Sequence, residues 1–391
     1  MRRIPWFLFY ALCASLLGNS LACAQQAGDV LISNGVYLND PTIKEVSDLW
    51  QNYLHSRPDS SYDNPFWNDQ EKKGYKSADL LTQTHLGNIY ELMKGYKPTI
   101  LSITPTEGYY KIRTLFAQQA DSGFCDPVAI TVVYAKKTLG KYVLYNSLPI
   151  ATKDWQHHTV GSLTFVFPSY HNYDPSLAKK LSLFIDSIAT LLHQPTKAAT
   201  YYFADTKEEL YHAQGLDYFI GEGNKQTPAG FTDADNNIIY GAGVGEWYPH
   251  EFVHLYVNPI YPKADPFLLE GIATLFGGSK GYSLNWHIRH ADSLFRVNKD
   301  INIDSSFSNT WSANLDYMTG PSYLFGGLIC KMAYEKGKID LLLKVLKYGP
   351  TPEEGRYKVL KEIFGIERKD SAAYLRKRIA DYAVTIPIDS K

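Results

Sequence analysis

One short segment in the middle of the chain carries residue types and a spacing that can hold a metal ion. Within residues 247–258, His250 and His254 stand four positions apart, and Glu251 follows the first of them. On a helix, residues i and i+4 lie on one face, one turn apart, so both imidazoles can bind the same ion. The pattern predicts a zinc site, with Glu251 at the position of a general base.

A zinc site that does chemistry needs a third protein ligand and an open position. Glu270 is the candidate, with fifteen residues between it and His254. Asp265 and Pro266 are typical of a helix start, and the glycines at 277–278 of a helix end. A helix between them can return Glu270 to the two histidines. A structural zinc site, the alternative, would need a fourth protein ligand.

Three further residues have types that fit a metal site but lack a supporting pattern. His287 and His290 are three residues apart, and solvated or ion-paired histidines are favoured over a second metal because no acidic pattern accompanies them. Glu246 can support the metal ligands indirectly, but an exposed carboxylate near a helix start is the favoured interpretation.

The two motifs together resemble the gluzincin metallopeptidases, the superfamily of aminopeptidase N and the peptidase-MA-like domains. His250-Glu-Phe-Val-His254 resembles the family's zinc helix, and Glu270-Gly-Ile-Ala273 its ligand helix, within a similar region of about residues 159–382. The resemblance implies a zincin-like fold, Zn²⁺, and hydrolysis of peptide bonds with Glu251 as general base. The gap to Glu270 is shorter than in aminopeptidase N, and no Gly-Ala-Met-Glu-Asn-like strand is found, so aminopeptidase specificity is not implied.

A second, weaker match lies downstream. Tyr317-Met-Thr-Gly320-Pro-Ser-Tyr-Leu324 is similar to a family segment in which a tyrosine precedes a Gly-x-Ser-aromatic helix start. The resemblance implies that the Tyr317 hydroxyl donates to the developing oxyanion. Tyr323 is the competing choice, and a core or surface role for Tyr317 stays open.

The elements around these motifs predict an α+β protein. Helices at 41–55 and 78–93 precede a meander of strands, which forms an N-terminal helix-plus-antiparallel-sheet domain over residues 25–158. A mostly helical, zincin-like catalytic domain follows over residues 159–391. The strand at 236–240 is predicted to be an edge strand beside the site, to which a peptide can add.

The first 24 residues predict export to the periplasm, the cell surface or the medium. Arg2 and Arg3 precede an apolar stretch at 4–17, and cleavage after Ala24 fits a secretory leader. A lipid anchor on Cys23 is the less favoured alternative. No second apolar run has the length of a membrane span.

Net charge and cysteine content limit the classes of partner and function that the chain can have. The net charge of the chain is −1, and no basic face stands out in the sequence. Nucleic acid is therefore excluded as a partner, and a peptide or protein substrate is expected. After cleavage, Cys125 and Cys330 remain, either bridged or as buried free thiols. The function expected is an exported zinc peptidase. The alternatives are a catalytically inert binding protein of gluzincin fold and a zinc hydrolase of non-peptide substrates.

Overall fold

The computed structural model describes most of the chain. The predicted leader with Cys23 and the proposed oxyanion donor Tyr317 lie outside the described residues. The described ranges are 30–56, 65–76, 79–84, 86–87, 89–119, 123, 125–222, 228–308, 315–316, 318–348 and 352–385.

Contacts within the chain divide it into two compact units, each made of more than one stretch of sequence. One unit comprises the described residues of Cys23–Pro175 and Ala198–Glu246 and holds both β-sheets. The other comprises those of Ser176–Lys197 and Trp247–Lys391 and is helical. The domain boundary predicted between residues 158 and 159 falls inside a strand, and that division stays a prediction.

The first sheet has six strands, mostly antiparallel. Its order is β1-β2-β3-β4-β5, and β9 pairs with the first part of the long strand β4. Among the described strand pairs of this sheet, β1–β2 is parallel and the others are antiparallel. The strands are β1 Leu31–Ile32, β2 Lys97–Thr106, β3 Tyr109–Gln119, β4 Cys125–Thr138, β5 Lys141–Tyr145 and β9 Leu216–Phe219.

The second sheet has five strands and mixed direction, in the order β10-β11-β8-β7-β6. The inner pairs β11–β8 and β8–β7 are parallel, and the outer pairs are antiparallel. The strands are β6 Gln156–Val160, β7 Leu163–Phe167, β8 Ala199–Ala204, β10 Ala229–Asp233 and β11 Ile238–Ala242. The predicted edge strand at 236–240 is therefore wrong in position, because β11 is paired on both sides and β10 forms the edge.

Six helices form among the described residues before position 249; α5 belongs to the helical unit and the others to the sheet-containing unit. Asp40 caps α1 through its carboxylate, which accepts from the N–H groups of Thr42 and Ile43. The helices are α1 Pro41–His55, α2 Asp69–Gly74, α3 Ile89–Met93, α4 Ser147–Ala151, α5 Pro175–Leu191 and α6 Lys207–Ala213. The single helix predicted at 78–93 is wrong, because the described residues of this range form a 3₁₀ turn at Leu80–Gln83, an extended Thr84 and the short α3.

Buried aromatic side chains on α1 pack it against the first sheet. Trp50 is fully buried and donates its indole N–H to Thr114 Oγ1 on β3 at 2.8 Å. Tyr53, one turn further on, contacts Trp67 edge-on at 5.4 Å between ring centroids. A second buried cluster lies around β8 and β11 of the second sheet and includes Leu80 and Ile238.

From residue 249 onwards the chain is almost wholly helical. A π-helical turn, Ser322–Gly326, leads directly into α11. The helices are α7 Pro249–Val257, α8 Pro266–Gly277, α9 Leu284–Val297, α10 Ile303–Ser308, α11 Gly327–Val345, α12 Pro352–Phe364 and α13 Ser371–Thr385. The predicted α+β class, with sheets first and helices after, is confirmed. Among the described residues, no helix combines the length and apolar character needed to cross a membrane.

Candidate metal centre

The helix α7 carries both histidines of the predicted motif and is buried along its whole length. Pro249 occupies its first position, where the missing N–H costs nothing and the fixed φ suits a helix. The helix ends at Asn258, whose N–H bonds to the His254 carbonyl. His250 and His254 are 5% and 6% exposed, so a bound ion here would be shielded from bulk water.

The helix α8 returns Glu270 to the histidines, and two glycines set how closely it packs. A Cβ at Gly277 would lie 2.6 Å from His250 Cα, so α8 ends directly against the start of α7. A Cβ at Gly271 would lie 2.3 Å from the carbonyl carbon of Gly326 at the end of the π-helical turn. Any larger side chain at either position would push α8 away from its neighbour.

The three predicted ligands converge on one point. The two Nε2 atoms of His250 and His254 are 3.2 Å apart, and they lie 3.1 and 3.6 Å from the carboxylate oxygens of Glu270. Zinc bonds of 2.0–2.2 Å in a tetrahedral site imply ligand separations of about 3.3 Å. The donor set therefore fits a zinc ion, and among the described residues this cluster has three members.

Hydrogen bonds on the far side of each ring orient the two imidazoles. His250 Nδ1–H donates to the Gly278 carbonyl at 2.5 Å, and His254 Nδ1–H donates to Asn258 Oδ1 at 3.2 Å. With Nδ1 protonated, the Nε2 lone pair of each ring is directed at the other ligands. Sequence reasoning missed both partners. Asn258, four residues after His254, had a helical-spacing signal that could have found it, whereas the Gly278 carbonyl had none.

The electrostatics of the site favour a charged Glu270 beside an imidazolium or a cation. Burial alone raises the pKa of Glu270, but the charge of His254 and hydrogen bonds from both rings lower it well below its usual range. Burial likewise lowers the pKa of His254, but Glu270 and then Glu251 raise it to about 9. The site thus attracts positive charge, and a metal ion competes with protons for the same nitrogen atoms.

Glu251 lies on the same buried helix, immediately after His250, and is 8% exposed. The Tyr248 hydroxyl donates to Glu251 Oε1 at 3.3 Å, and the Tyr248 ring is stacked near that of His250 at 6.4 Å between centroids. The negative charge of Glu251 acts on the neighbouring cluster, since it contributes to the raised pKa of His254. The sequence did not indicate the role of Tyr248.

The segment predicted to donate to an oxyanion is described in part. Tyr323, the competing tyrosine, lies on the π-helical turn, and its ring contacts that of His250 edge-on at 5.9 Å. Lys280 Nζ lies 5.9 Å from the centre of the Tyr323 ring. Short π-helical segments are frequent at functional sites. Tyr323 is therefore placed next to the metal ligands, as the sequence allowed.

A buried ion pair fixes the start of α8. Arg356 Nε and Nη2 bind the Asp265 carboxylate at 2.5 and 3.1 Å, while Arg356 Nη1 donates to the Phe307 carbonyl at 2.7 Å. Asp265 also accepts from the Phe267 N–H as the predicted helix cap. Two parallel N–H···O bonds suit the planar guanidinium and not an ammonium. Arg356, 91 residues away, had no signal in the sequence.

The two weaker histidine candidates have structural partners. His290 Nε2 pairs with Asp316 at 2.5 Å, and Asp316 also accepts from the N–H groups of Met318 and Thr319. His287 is fully buried and hydrogen bonds to Ser279 and Thr319, so the expectation of a solvated His287 is wrong. Burial lowers the pKa of His287 to about 4, so it is neutral.

The exposure of Glu246 and of the two described cysteines tests the remaining expectations from the sequence. Glu246 is 3% exposed and accepts from the Asp174 N–H and the His171 ring, so the expected exposed carboxylate is wrong. The two cysteines within the described residues are free thiols; Cys330 is buried as expected, whereas Cys125 is exposed, so its expected burial is wrong.

Comparison with known proteins shows a likeness to solved structures but not to a protein family. No family model and no curated protein matches the chain. Among solved structures it is similar to an M1 zinc metallopeptidase from Deinococcus radiodurans, with 12% sequence identity and a TM-score of 0.29. The match covers 75% of this chain and 65% of that one, so the chain spans just under two thirds of the matched protein. A likeness at this level does not indicate the function of this chain.

Proposed function

We propose that this protein is an exported, zinc-dependent peptidase. One observation carries the proposal: the ligand atoms of His250, His254 and Glu270 converge within 4.8 Å of one another, beside the buried carboxylate of Glu251. A site that served binding or structure alone would have no need of that fourth residue. Zinc bound at such a site supplies Lewis acidity, since it polarises a carbonyl and acidifies water.

The chain's own residues divide the remaining work. His250 and His254 present Nε2, because their Nδ1–H groups are held by Gly278 and Asn258. Glu251 accepts a proton from the attacking water and returns it to the leaving amine. Either Tyr317 or Tyr323 donates to the oxyanion, with Tyr317 proposed from the resemblance of its segment to the gluzincins.

A peptide substrate is proposed from the paired motifs around residues 250–254 and 270–273, which resemble those of gluzincin peptidases. The same ligands would serve a hydrolase of another bond, so substrate class needs its own test. Incubation with a peptide library, with and without chelator, separates the two. Zinc-dependent hydrolysis of other esters or amides without peptide cleavage would favour the non-peptide alternative.

Replacing the proposed base tests the mechanism. We expect Glu251→Gln to keep one zinc per chain and to lower kcat at least a thousandfold, because the isosteric amide cannot accept the proton. His254→Ala, the matched control, should lose the metal and the activity together. Zinc content by elemental analysis and peptide hydrolysis by mass spectrometry give the readouts. Full activity of Glu251→Gln would refute the assignment.

Export is proposed from residues 1–24, which have the pattern of a secretory leader. Mass spectrometry of the protein from its native cell should find Gln25 as the first residue. A diacylated Cys23 at the N-terminus would establish the lipid-anchored alternative, and an intact Met1 would contradict export by this leader.

A further inference from the structure

A cavity of about 590 Å³ in the sheet-containing unit is not used by the proposed mechanism. It lies where α2 meets the residues around β5 and α4. Three tyrosine side chains, Tyr75, Tyr109 and Tyr145, contribute to its lining, together with the amides of Asn68 and Gln70. Small-molecule sites commonly combine such aromatic walls with a few fixed polar groups.

Glu71 lines this cavity with a carboxylate that has only neutral partners. Both of its hydrogen bonds come from Asn146, whose backbone and side-chain N–H groups donate to one oxygen, Oε2, at 3.0 and 2.8 Å. Within the described residues no cationic side chain pairs with Glu71. Asn146 is itself buried and held by the Leu80 N–H, so the carboxylate has a fixed position.

The electrostatic surroundings of Glu71 disfavour its charge. Burial raises the pKa of Glu71 to about 7, the Asn146 hydrogen bonds oppose this, and Asp79 raises it further. A partly buried carboxylate with only neutral partners has an unfavourable charge, and an incoming cation offsets that cost. The cavity's charged lining residues are Glu71, Glu107 and Lys153, which together carry one net negative charge.

The other charged groups at the cavity are already paired. Lys153 binds Glu107 in an exposed ion pair. The ring of Tyr109 holds the ammonium of Lys136 at 4.8 Å, and its edge-to-face partner Tyr145 lies 5.3 Å away. Tyrosine faces in this region thus accept ammonium groups, as expected from the negative potential of an aromatic ring.

We propose that this cavity binds an organic cation, an alkylammonium group held by the Glu71 carboxylate against the tyrosine rings. The ammonium forms a charge-assisted hydrogen bond to Glu71 Oε1 while its carbon chain contacts the rings. The source is either a lysine side chain of a peptide or a free amine. The site needs no metal and stands independently of the proposed peptidase activity.

Calorimetric titration of the whole protein at pH 8, with and without a zinc chelator, tests the proposal. The probes are Nα-acetyl-lysine amide and 1,5-diaminopentane, with Nα-acetyl-norleucine amide as the neutral isostere and N-acetylglucosamine as a neutral polar ligand. We expect the ammonium probes to bind equally with and without chelator, and the neutral ones not to bind. The tighter of the two ammonium probes identifies the source.

Three variants make the test specific. Glu71→Gln should weaken ammonium binding at least tenfold, whereas Glu91→Gln, the same change at an exposed carboxylate outside the cavity, should alter it less than twofold. Gly74 lines the cavity and a Cβ there meets nothing within 4 Å, so Gly74→Lys should place a competing ammonium inside and abolish binding with Glu71 intact. The proposal is overturned if Glu71→Gln or Gly74→Lys binds the ammonium probes as tightly as the wild-type protein does. It is also overturned if a neutral probe binds as tightly as the ammonium probes, or if neither ammonium probe binds.

Discussion

The side chains of the candidate metal centre are each held by their own hydrogen bonds. Each histidine has its Nδ1–H fixed by an oxygen acceptor, and the carboxylate of Glu270 lies 3.1 Å from His250 Nε2. Glu251 has a corresponding contact with the Tyr248 hydroxyl. Such outer hydrogen bonds reduce the reorganisation needed during binding and reaction.

Tyr248 should act as a positioning residue for Glu251. We expect Tyr248→Phe to lower kcat about fivefold with KM and zinc content unchanged, because one hydrogen bond of about 1 kcal/mol to the proposed base is lost. Steady-state kinetics with a cleaved peptide, alongside zinc analysis, measure this.

The matched control lies on α7, the helix that Tyr248 precedes. Tyr256 is fully buried, and its hydroxyl accepts from the Lys197 N–H at 2.9 Å. Tyr256→Phe should lower stability and leave kcat unchanged. Equal kcat in Tyr248→Phe and the wild type would remove Tyr248 from the mechanism.

His287 should make the protein sensitive to mild acid. Its folded-state pKa of about 4 lies below the unfolded value near 6.5, so between these values only the unfolded chain takes up the proton. Stability should therefore fall as the pH falls from about 6.5 to 4, by on the order of 3 kcal/mol from this residue. Urea unfolding at several pH values measures the slope.

Substitution of His287 shows how much of the pH dependence of the free energy of unfolding this residue causes. His287→Asn should flatten that dependence between about pH 4 and 6.5. The same change at His193, which is exposed and has a positive φ that asparagine tolerates, should leave it as in the wild type. An unchanged slope in His287→Asn would contradict the assignment.

At the scale of elements, close helix contacts bring the ligands together. The helix α8 meets α7 at Gly277 and the π-helical turn at Gly271, and in both places a Cβ would lie within 2.6 Å of backbone atoms. Interiors at this density do not yield to an added methyl group without strain. The position of Glu270, next to Gly271, depends on these contacts.

Gly271→Ala should therefore disturb both folding and metal binding. We expect about 1–3 kcal/mol lower stability and a weaker zinc affinity, because α8 must move away from Gly326. Chemical unfolding and competition for zinc with a chromophoric chelator measure the two effects. Gly74→Ala, where a Cβ meets nothing within 4 Å, is the control and should change neither.

At the scale of the whole molecule, zinc should stabilise the folded protein by mass action. Free zinc at one hundred times its Kd adds about 2.7 kcal/mol, which for a unit of this size corresponds to roughly 5–10 °C in Tm. We expect chelation to lower Tm by this amount. His254→Ala should melt at one temperature with and without chelator, and the same drop in that variant would place the effect outside this centre.

The sequence alone determined the features that a single helix or its ends enforce. The i, i+4 spacing puts His250 and His254 on one face, and Asp265 with Pro266 starts the helix that carries Glu270, as the structure confirms. The α+β class also followed, because the change from alternating to helical periodicity is local. These predictions succeeded since each depends on residues within a few turns of one another.

Only the tertiary structure decided the features built by long-range contacts. Arg356 reaches Asp265 across 91 residues, and the pairing of β10 with β11 removes the predicted edge strand. Within the described part of the chain no cationic side chain pairs with Glu71, and the cavity that it lines is completed by residues far along the chain, around β5 and α4. No local pattern encodes which buried polar group meets which partner, since many arrangements satisfy the same hydrophobic periodicity and packing selects one of them.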